Sequence, residues 1–283
     1  MTLGLEIDGI NMRTSAWNVS TQTGRFSMPP VRGDDLVLPG RSGYVFTPNK
    51  PYDAGIGVLS VWVTGANSNG TFPTTHTLRQ QQMRTNIAQM QRMFLRRHKL
   101  STIRAWQPDG SIRQCLAQWT DWGEPTVQAD GTRAEWTMGF SIPGVFWKDE
   151  TDTSQQTATG STLPKTLSLT SFDNMTGVIE DSVLSVTGPI TNPRITDSET
   201  GQYVQYTGTL ASSAVWTVDC GAFTSLVGAT NVLSSTTHGG GYRFLTISNV
   251  FGSSTTPQLV LTGTAGGTNT KFGIVARRKW VNG

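Results

Sequence analysis

Apolar and polar residues alternate along much of this chain. Leu3-Gly-Leu-Glu-Ile7 alternates up to Asp8-Gly9, a hairpin turn signal. Ile56-Gly-Val-Leu-Ser-Val-Trp-Val63 sets Leu59, Val61 and Val63 on one face and Ile56, Val58 and Trp62 on the other. With both faces apolar, this segment reads as a central strand covered on each side. Residues 112–119 form a further strand. The clearest alternation is 135–142, with Trp136, Met138, Phe140 and Ile142 turned inward and Glu135, Thr137, Gly139 and Ser141 outward. The turn residues Gln128-Ala-Asp-Gly131 precede it. In one place the period becomes helical. Met83, Ile87, Met90 and Phe94 recur at steps of four, three and four, behind a Thr77-Leu-Arg-Gln80 capping box. Arg84, Arg92, Arg96 and Lys99 fall on the opposite side. Arg96, Arg97 and Lys99 occupy the last turn, where positive charge complements the helix dipole.

Residues 151–166 are rich in Thr, Ser and Gln and read as a linker. Short strands follow at 178–186, 203–207, 215–219, 242–247, 258–262 and 272–277, with Gly, Asn and Pro between them. That spacing is the pattern of an antiparallel sandwich or jelly roll. The chain therefore reads as mainly β in two domains. Residues 1–150 are β-rich with one α-helix, and residues 151–283 are an antiparallel β-sandwich. A length of 283 residues suits two such cores.

Composition supports this reading. Charged residues make up 14% and there are 31 glycines, a balance that favours strands and turns. The net charge of +3 is too small to argue for nucleic acid. Residues 1–150 hold 15 Lys+Arg against 12 Asp+Glu, and residues 151–283 hold 7 of each. The basic excess concentrates in the helix, with six Lys/Arg and no acid between Thr77 and Leu100. No aromatic residues interleave with those charges as stacking on single strands would need. A solvated face or a contact to an acidic neighbouring subunit suits the helix better, and no specific nucleic-acid binding is expected.

Cys115 and Cys220 form neither a disulfide framework nor a zinc site, and read as buried free thiols of a chain made in a reducing compartment. His76, His98 and His238 lack partners for a metal or nucleophile site, and HExxH, GxSxG and CxxC are absent. No metal or cofactor is expected. The acid pairs Asp34-Asp35, Glu180-Asp181 and Asp197/Glu199 would need a separation of about 5–9 Å across a bond to act together. Adjacent strand residues point to opposite faces, which argues against catalysis. No signal pattern and no run of about 18 apolar residues occurs, so membrane insertion is not expected.

The stretch Val37-Leu-Pro-Gly-Arg-Ser-Gly-Tyr-Val-Phe46 resembles a phosphate loop only superficially. Six residues separate Gly33 from Gly40, and Arg41 stands where lysine should. Pro39-Gly40-Arg41-Ser42-Gly43 reads instead as a turn between strands, with Tyr44 opening the second. In the second half, Tyr203, Tyr206, Trp216 and Trp280 are candidates for a sugar-stacking platform. The alternative places these rings in the core or rim of the sandwich.

Several of these segments together resemble the distal tail proteins of long-tailed phages, of the minor tail protein type found in phages of actinobacteria. The resemblance is carried by Leu36-Val-Leu-Pro-Gly-Arg-Ser-Gly43, Val58-Leu-Ser-Val-Trp-Val63, the helix from Thr77, and Pro143-Gly-Val-Phe-Trp-Lys-Asp149. It continues through Pro189-Ile-Thr-Asn-Pro-Arg-Ile-Thr-Asp-Ser-Glu-Thr-Gly201, Val218-Asp219 and Ala276-Arg-Arg-Lys-Trp280. It implies a structural, non-enzymatic virion protein with an N-terminal ring (belt) domain and a galectin-like C-terminal sandwich. Such a protein is made in the host cytoplasm and resides at the distal end of the tail. Six copies would form a ring joining the tail tube protein to the tail-tip or baseplate hub and tape measure proteins. Pro39, Gly40, Arg41, Ser42, Gly43 and Tyr44 would then be inter-subunit contacts, with Arg84, Arg92 and Arg96 of the helix. Arg41 would pair with a carboxylate or carbonyl of the next copy, as suits a planar guanidinium on a fixed turn. A host cell-surface glycan is the alternative partner, through the sandwich.

Overall fold

A computed structural model describes residues 4–23, 29–32, 52–95, 98–240, 244–248 and 256–281. The chain divides into two compact units, one running to Asp149 and the other spanning Glu150–Trp280.

The first unit runs β1 (Leu5–Ile7), β2 (Ile10–Asn11), β3 (Trp17–Thr23), β4 (Gly55–Thr64), α1 (His76–Phe94), β5 (Ser101–Trp106), β6 (Ile112–Trp122), β7 (Thr126–Val127), β8 (Arg133–Ile142) and β9 (Trp147–Asp149). The strands pair antiparallel in the order β2-β1-β5-β6-β8-β4-β3, with β7 on β8 and β9 on β6. The longest ladder joins β4 to β8 in unbroken register from Gly55↔Ile142 to Thr64↔Arg133. β8 alternates as expected, with Trp136, Met138, Phe140 and Ile142 buried.

β4 is central, but it is covered on one face only. Leu59, Val61 and Val63 are buried, whereas Ile56 is 63% exposed and Trp62 36%. The reason is architectural: α1 packs on the inner face alone. The outer face makes do with a guanidinium, that of Arg133 lying 3.4 Å from the centre of the Trp62 ring.

The helix begins one residue before Thr77. Its N-cap is Thr75, whose hydroxyl accepts from the Leu78 N–H at 3.3 Å. The expected Thr77–Gln80 box does not form, because Thr77 lies inside the helix and not at its cap, and the Gln80 amide donates to the Asp130 carbonyl at 3.1 Å. Met83, Met90 and Phe94 are buried as the stripe predicts, and Ile87 is half-buried. Between them sits a buried polar residue, Asn86. Its amide N–H groups donate to the carbonyls of Thr64 at 2.8 Å and Ala66 at 2.9 Å, and its oxygen accepts from Gln82 at 3.0 Å. Gly65, between those two carbonyls, approaches the helix so closely that a Cβ there would lie 2.2 Å from the Arg79 carbonyl oxygen. Only glycine leaves room for that approach.

The second unit contains β10 (Thr153–Gln156), β11 (Lys165–Ser168), β12 (Val183–Thr187), β13 (Ile190–Asp197), β14 (Tyr203–Tyr206), β15 (Thr209–Leu210), β16 (Val215–Asp219), β17 (Thr224–Val227), β18 (Thr230–Asn231), β19 (Thr236–Gly239), β20 (Gln258–Thr264) and β21 (Lys271–Ala276). One sheet runs β10-β21-β12-β16-β17-β18. The other runs β11-β20-β13-β14-β19, with β15 on β13. Leu184, Val186, Trp216, Phe272 and Ile274 of the first meet Leu167, Ile195, Val204, Leu259 and Leu261 of the second in one buried cluster. This is a sandwich of antiparallel sheets, so the whole chain is mainly β with one α-helix among the described residues.

Two departures from the sequence reading have clear causes. Residues 151–166 are not a linker, since they supply strands to both sheets through β10 on β21 and the start of β11 on β20. Their polar composition concealed them, because an edge strand need bury few side chains. β13 was not anticipated because it contains Pro193. The proline sits where the register to β20 shifts between Thr191 and Arg194, a bulge that does not need its missing N–H. The strand expected at 242–247 falls partly outside the described residues, and Ile247 makes an isolated bridge to Ile179.

Replacing Asn86 by Ala removes the side-chain donors from the half-buried Thr64 carbonyl and the buried Ala66 carbonyl. It should cost about 1–3 kcal/mol in urea unfolding followed by tryptophan fluorescence. Gly65→Ala should also lower stability, because its methyl meets backbone and not a movable side chain. Wild-type stability in either variant would contradict this account of how the helix is anchored.

Candidate functional site

The described parts of the first unit carry three surface features of interest. The first is the outward side of α1. Arg84 and Arg92 are exposed there beside Gln81, Thr85 and Gln89. Arg79 is tethered at the start of the helix, its Nε donating to the Pro73 carbonyl at 2.8 Å. Arg96, and the turn residues Pro39, Gly40, Arg41, Ser42, Gly43 and Tyr44, lie outside the described residues.

The second feature is a cleft of about 480 Å³ at the C-terminal end of α1. Phe94, Trp119 and Trp122 line it, with His98, Lys99 and Gln118 around them. Phe94 meets Trp119 edge-on at 4.4 Å between ring centres and Trp122 at 6.4 Å. The Trp119 indole N–H donates to the Ser101 hydroxyl at 3.1 Å, which fixes its orientation. Sequence reading missed this cleft. Trp119 and Trp122 are three apart, and in a regular strand they would face opposite ways. A bulge between Trp119 and Asp121 shifts the register, so Trp119 pairs with Phe140 and Trp122 with Met138, both inward-facing residues of β8.

The third feature is the outer face of β4, β6 and β8. The ladders place Trp62 opposite Glu135 and Val58 opposite Gly139. Asp121 lies opposite Gly139 on the other side of β8, and a Cβ on Gly139 would sit 3.2 Å from the Asp121 Cβ. Asp121, Glu124 and Glu135 are all exposed. The face thus combines Ile56 and the Arg133-capped Trp62 with an acidic corner.

In the second unit the four candidate rings are not brought together on one surface. Trp216 is fully buried, and its indole N–H donates to the Ser225 hydroxyl at 2.8 Å. Tyr206 is half-buried beside it, 5.9 Å away between ring centres. Tyr203 lies three residues before Tyr206 on the same strand and so projects from the opposite face, where the Arg194 guanidinium lies 3.7 Å from its ring centre. Trp280 is buried, at 9% exposure.

The acid pairs are otherwise engaged. Asp181 pairs with Lys279 at 2.6 Å. Buried Asp197 accepts from the Thr200 hydroxyl at 2.7 Å and the Glu199 N–H at 3.2 Å, which stabilises a turn. Asp34 and Asp35 lie outside the described residues. Among the described residues no group of three His, Cys, Asp or Glu is placed to hold a metal. No helix among them is long and apolar enough to cross a membrane. Both cysteines are free and buried. Burial pushes the Cys115 thiol well above its ordinary range and raises Cys220 to about 11.

A β-rich unit with one helix, followed by an antiparallel sandwich, has a counterpart among solved proteins of the phage adsorption apparatus. The crystal structure of SPP1 Dit (gp 19.1), described as a paradigm of the hub adsorption apparatus in phages infecting Gram-positive bacteria, matches with a TM-score of 0.61 at 13% identity, over 99% of this chain and 100% of that one. The phage p2 baseplate in its activated conformation matches at lower scores, 0.39 with Sr and 0.38 with Ca, each at 11% identity over the full length of both chains. No protein-family model and no curated protein matches the sequence. At 13% identity the SPP1 Dit likeness establishes the fold, and it agrees with the fold expected from the sequence resemblance.

Two measurements test this placement of residues. Trp216→Ala should destabilise the full chain by about 3–5 kcal/mol, as removal of a core indole does; a variant as stable as wild type would show that the ring is not in the core. Both thiols should resist a thiol reagent at pH 8 in the native protein and react on unfolding. The folded protein holds the Cys220 proton more tightly than the unfolded chain does. Its contribution is therefore complete below the ordinary value of 9.0 and drains away as the pH rises from there towards about 11.

Proposed function

We propose that this chain is a structural, non-catalytic component of a phage tail: a distal hub that assembles as a homohexameric ring and joins the tail tube to the tail-tip apparatus. The observation that carries the proposal is the likeness to SPP1 Dit, which extends over both units and nearly the whole chain. The surfaces of the first unit suit the role. A closed ring is built from heterologous contacts, in which one patch meets a different patch on the next copy. The first unit presents two unlike patches, an arginine-bearing helix and a partly apolar, partly acidic sheet face.

In this reading residues 1–150 form the ring and residues 151–283 the outer galectin-like sandwich. The tail tube protein, the tail-tip or baseplate hub and the tape measure protein are the partners, and the protein's place is the distal end of the virion tail. Pro39, Gly40, Arg41, Ser42, Gly43 and Tyr44, with Arg84, Arg92 and Arg96, contribute to subunit contacts. We add no glycan-binding reading, because the four rings on which it rested are divided between the core and opposite sheet faces.

Light scattering and negative-stain images of the full chain, alone and with tube or tip proteins, test the proposal. The expected particle is a six-fold ring whose contacts each bury on the order of 1,200–2,000 Å². A strict monomer under every one of these conditions would overturn it.

A further inference from the structure

We propose that the arginine face of α1 on one copy docks on the acidic corner of the outer sheet face of the next copy. This rests on the ring reading and specifies its contact. The two surfaces lie on different sides of the first unit. The helix covers the inner face of β4 and β8, where Leu59, Val61, Trp136 and Met138 are buried, and turns Arg84 and Arg92 away from it. Ile56, Trp62, Asp121 and Glu135 project from the other face. One copy can therefore offer its helix and its sheet to two different neighbours at once, as a closed ring requires.

The charges are complementary. Between Thr77 and Leu100 the chain has cations and no acid. The corner at the end of β6 and the start of β8 has exposed Asp121, Glu124 and Glu135, and the guanidinium of Arg133, two residues before Glu135, lies over Trp62. Each surface supplies the sign the other lacks, which steers encounter and fixes register between copies. Each also carries an exposed aliphatic residue that gains by being covered: Leu95 is 57% exposed beside the helix arginines, and Ile56 is 63% exposed on the sheet. Exposed apolar area next to complementary charge is what a specific contact covers.

Charge reversal in the full-length chain tests this. Arg84→Glu/Arg92→Glu should weaken self-association by about tenfold or more, and so should Asp121→Arg/Glu135→Arg. The quadruple variant carrying both reversals should recover association to within about threefold of wild type. All four side chains are exposed, so the circular dichroism spectrum should match wild type, with melting temperature lowered only slightly by loss of the Asp121 bond from the Trp122 N–H and of the Arg92 charge in the last helical turn. Wild-type association should also weaken as salt is raised from about 50 to 500 mM. Rings that form normally in the helix variant would overturn this contact and leave the ring reading intact. Rings lost in both double variants but not recovered in the quadruple would also overturn it, because each surface would then be meeting something else. Failure of the wild type itself to assemble would overturn the ring reading, and this contact with it.

Discussion

The first unit depends on how one amide side chain is placed. Asn86 sits in the buried stripe of α1, where a hydrophobic residue would ordinarily pack, and ties the two carbonyls flanking Gly65 to the helix. A buried amide satisfied on both its donors and its acceptor is directional in a way that Met83 and Met90 are not. The methionines keep the helix on the sheet, and Asn86 sets where along β4 it rests. With Gly65 admitting the close approach, the helix is held to one face of the strand array. The division between a sealed inner face and an open outer one follows from that attachment. It is also why the arginines of α1 and the acids of β6 and β8 end up on surfaces that cannot meet within one copy.

The second unit solves its packing differently. It has no α-helix among its described residues, and its two sheets bury their apolar side chains against each other. Trp216 anchors this core, with its one polar atom matched to the Ser225 hydroxyl, which is itself 2.7 Å from that of Thr236. Burying so large a ring commits it to stability and removes it from recognition. The same alternation of side-chain direction that makes a strand amphipathic separates Tyr206, against the core, from Tyr203, beneath an arginine on the opposite face.

Much of this was legible from residue spacing. The strict alternation of 135–142 and the helical spacing of Met83, Met90 and Phe94, at steps of seven and four, appear in the structure as read, because each reports burial on a single side. Legibility failed where one side chain answers to two demands. Asn86 looks like a surface residue until its carbonyl partners are known. Trp62 looks like core because an indole usually is, and its stacked arginine is distant in sequence. Pro193 argues against a strand unless a bulge accommodates it, and the strands within 151–166 carry too little apolar character to announce themselves. The candidate contact residues of α1 could be read as a charge bias, but the acids that complement them are scattered over β6, β8 and the intervening segment. The aromatic cleft was hidden for a similar reason, since two-residue periodicity assigns Trp119 and Trp122 to different faces.

That last irregularity makes β6 sensitive in an asymmetric way. The extra residue at Thr120 inverts parity partway along the strand, so everything beyond it is aimed by count and not by chemistry. Many residues could stand at position 120 with little consequence. Ironing out the kink with Thr120 still in place would swing Asp121 inward and Trp122 outward, whereas a missing codon at position 120 leaves Trp119, Asp121 and Trp122 in step with Phe140, Gly139 and Met138, so this strand tolerates the loss of a residue better than the loss of its irregularity.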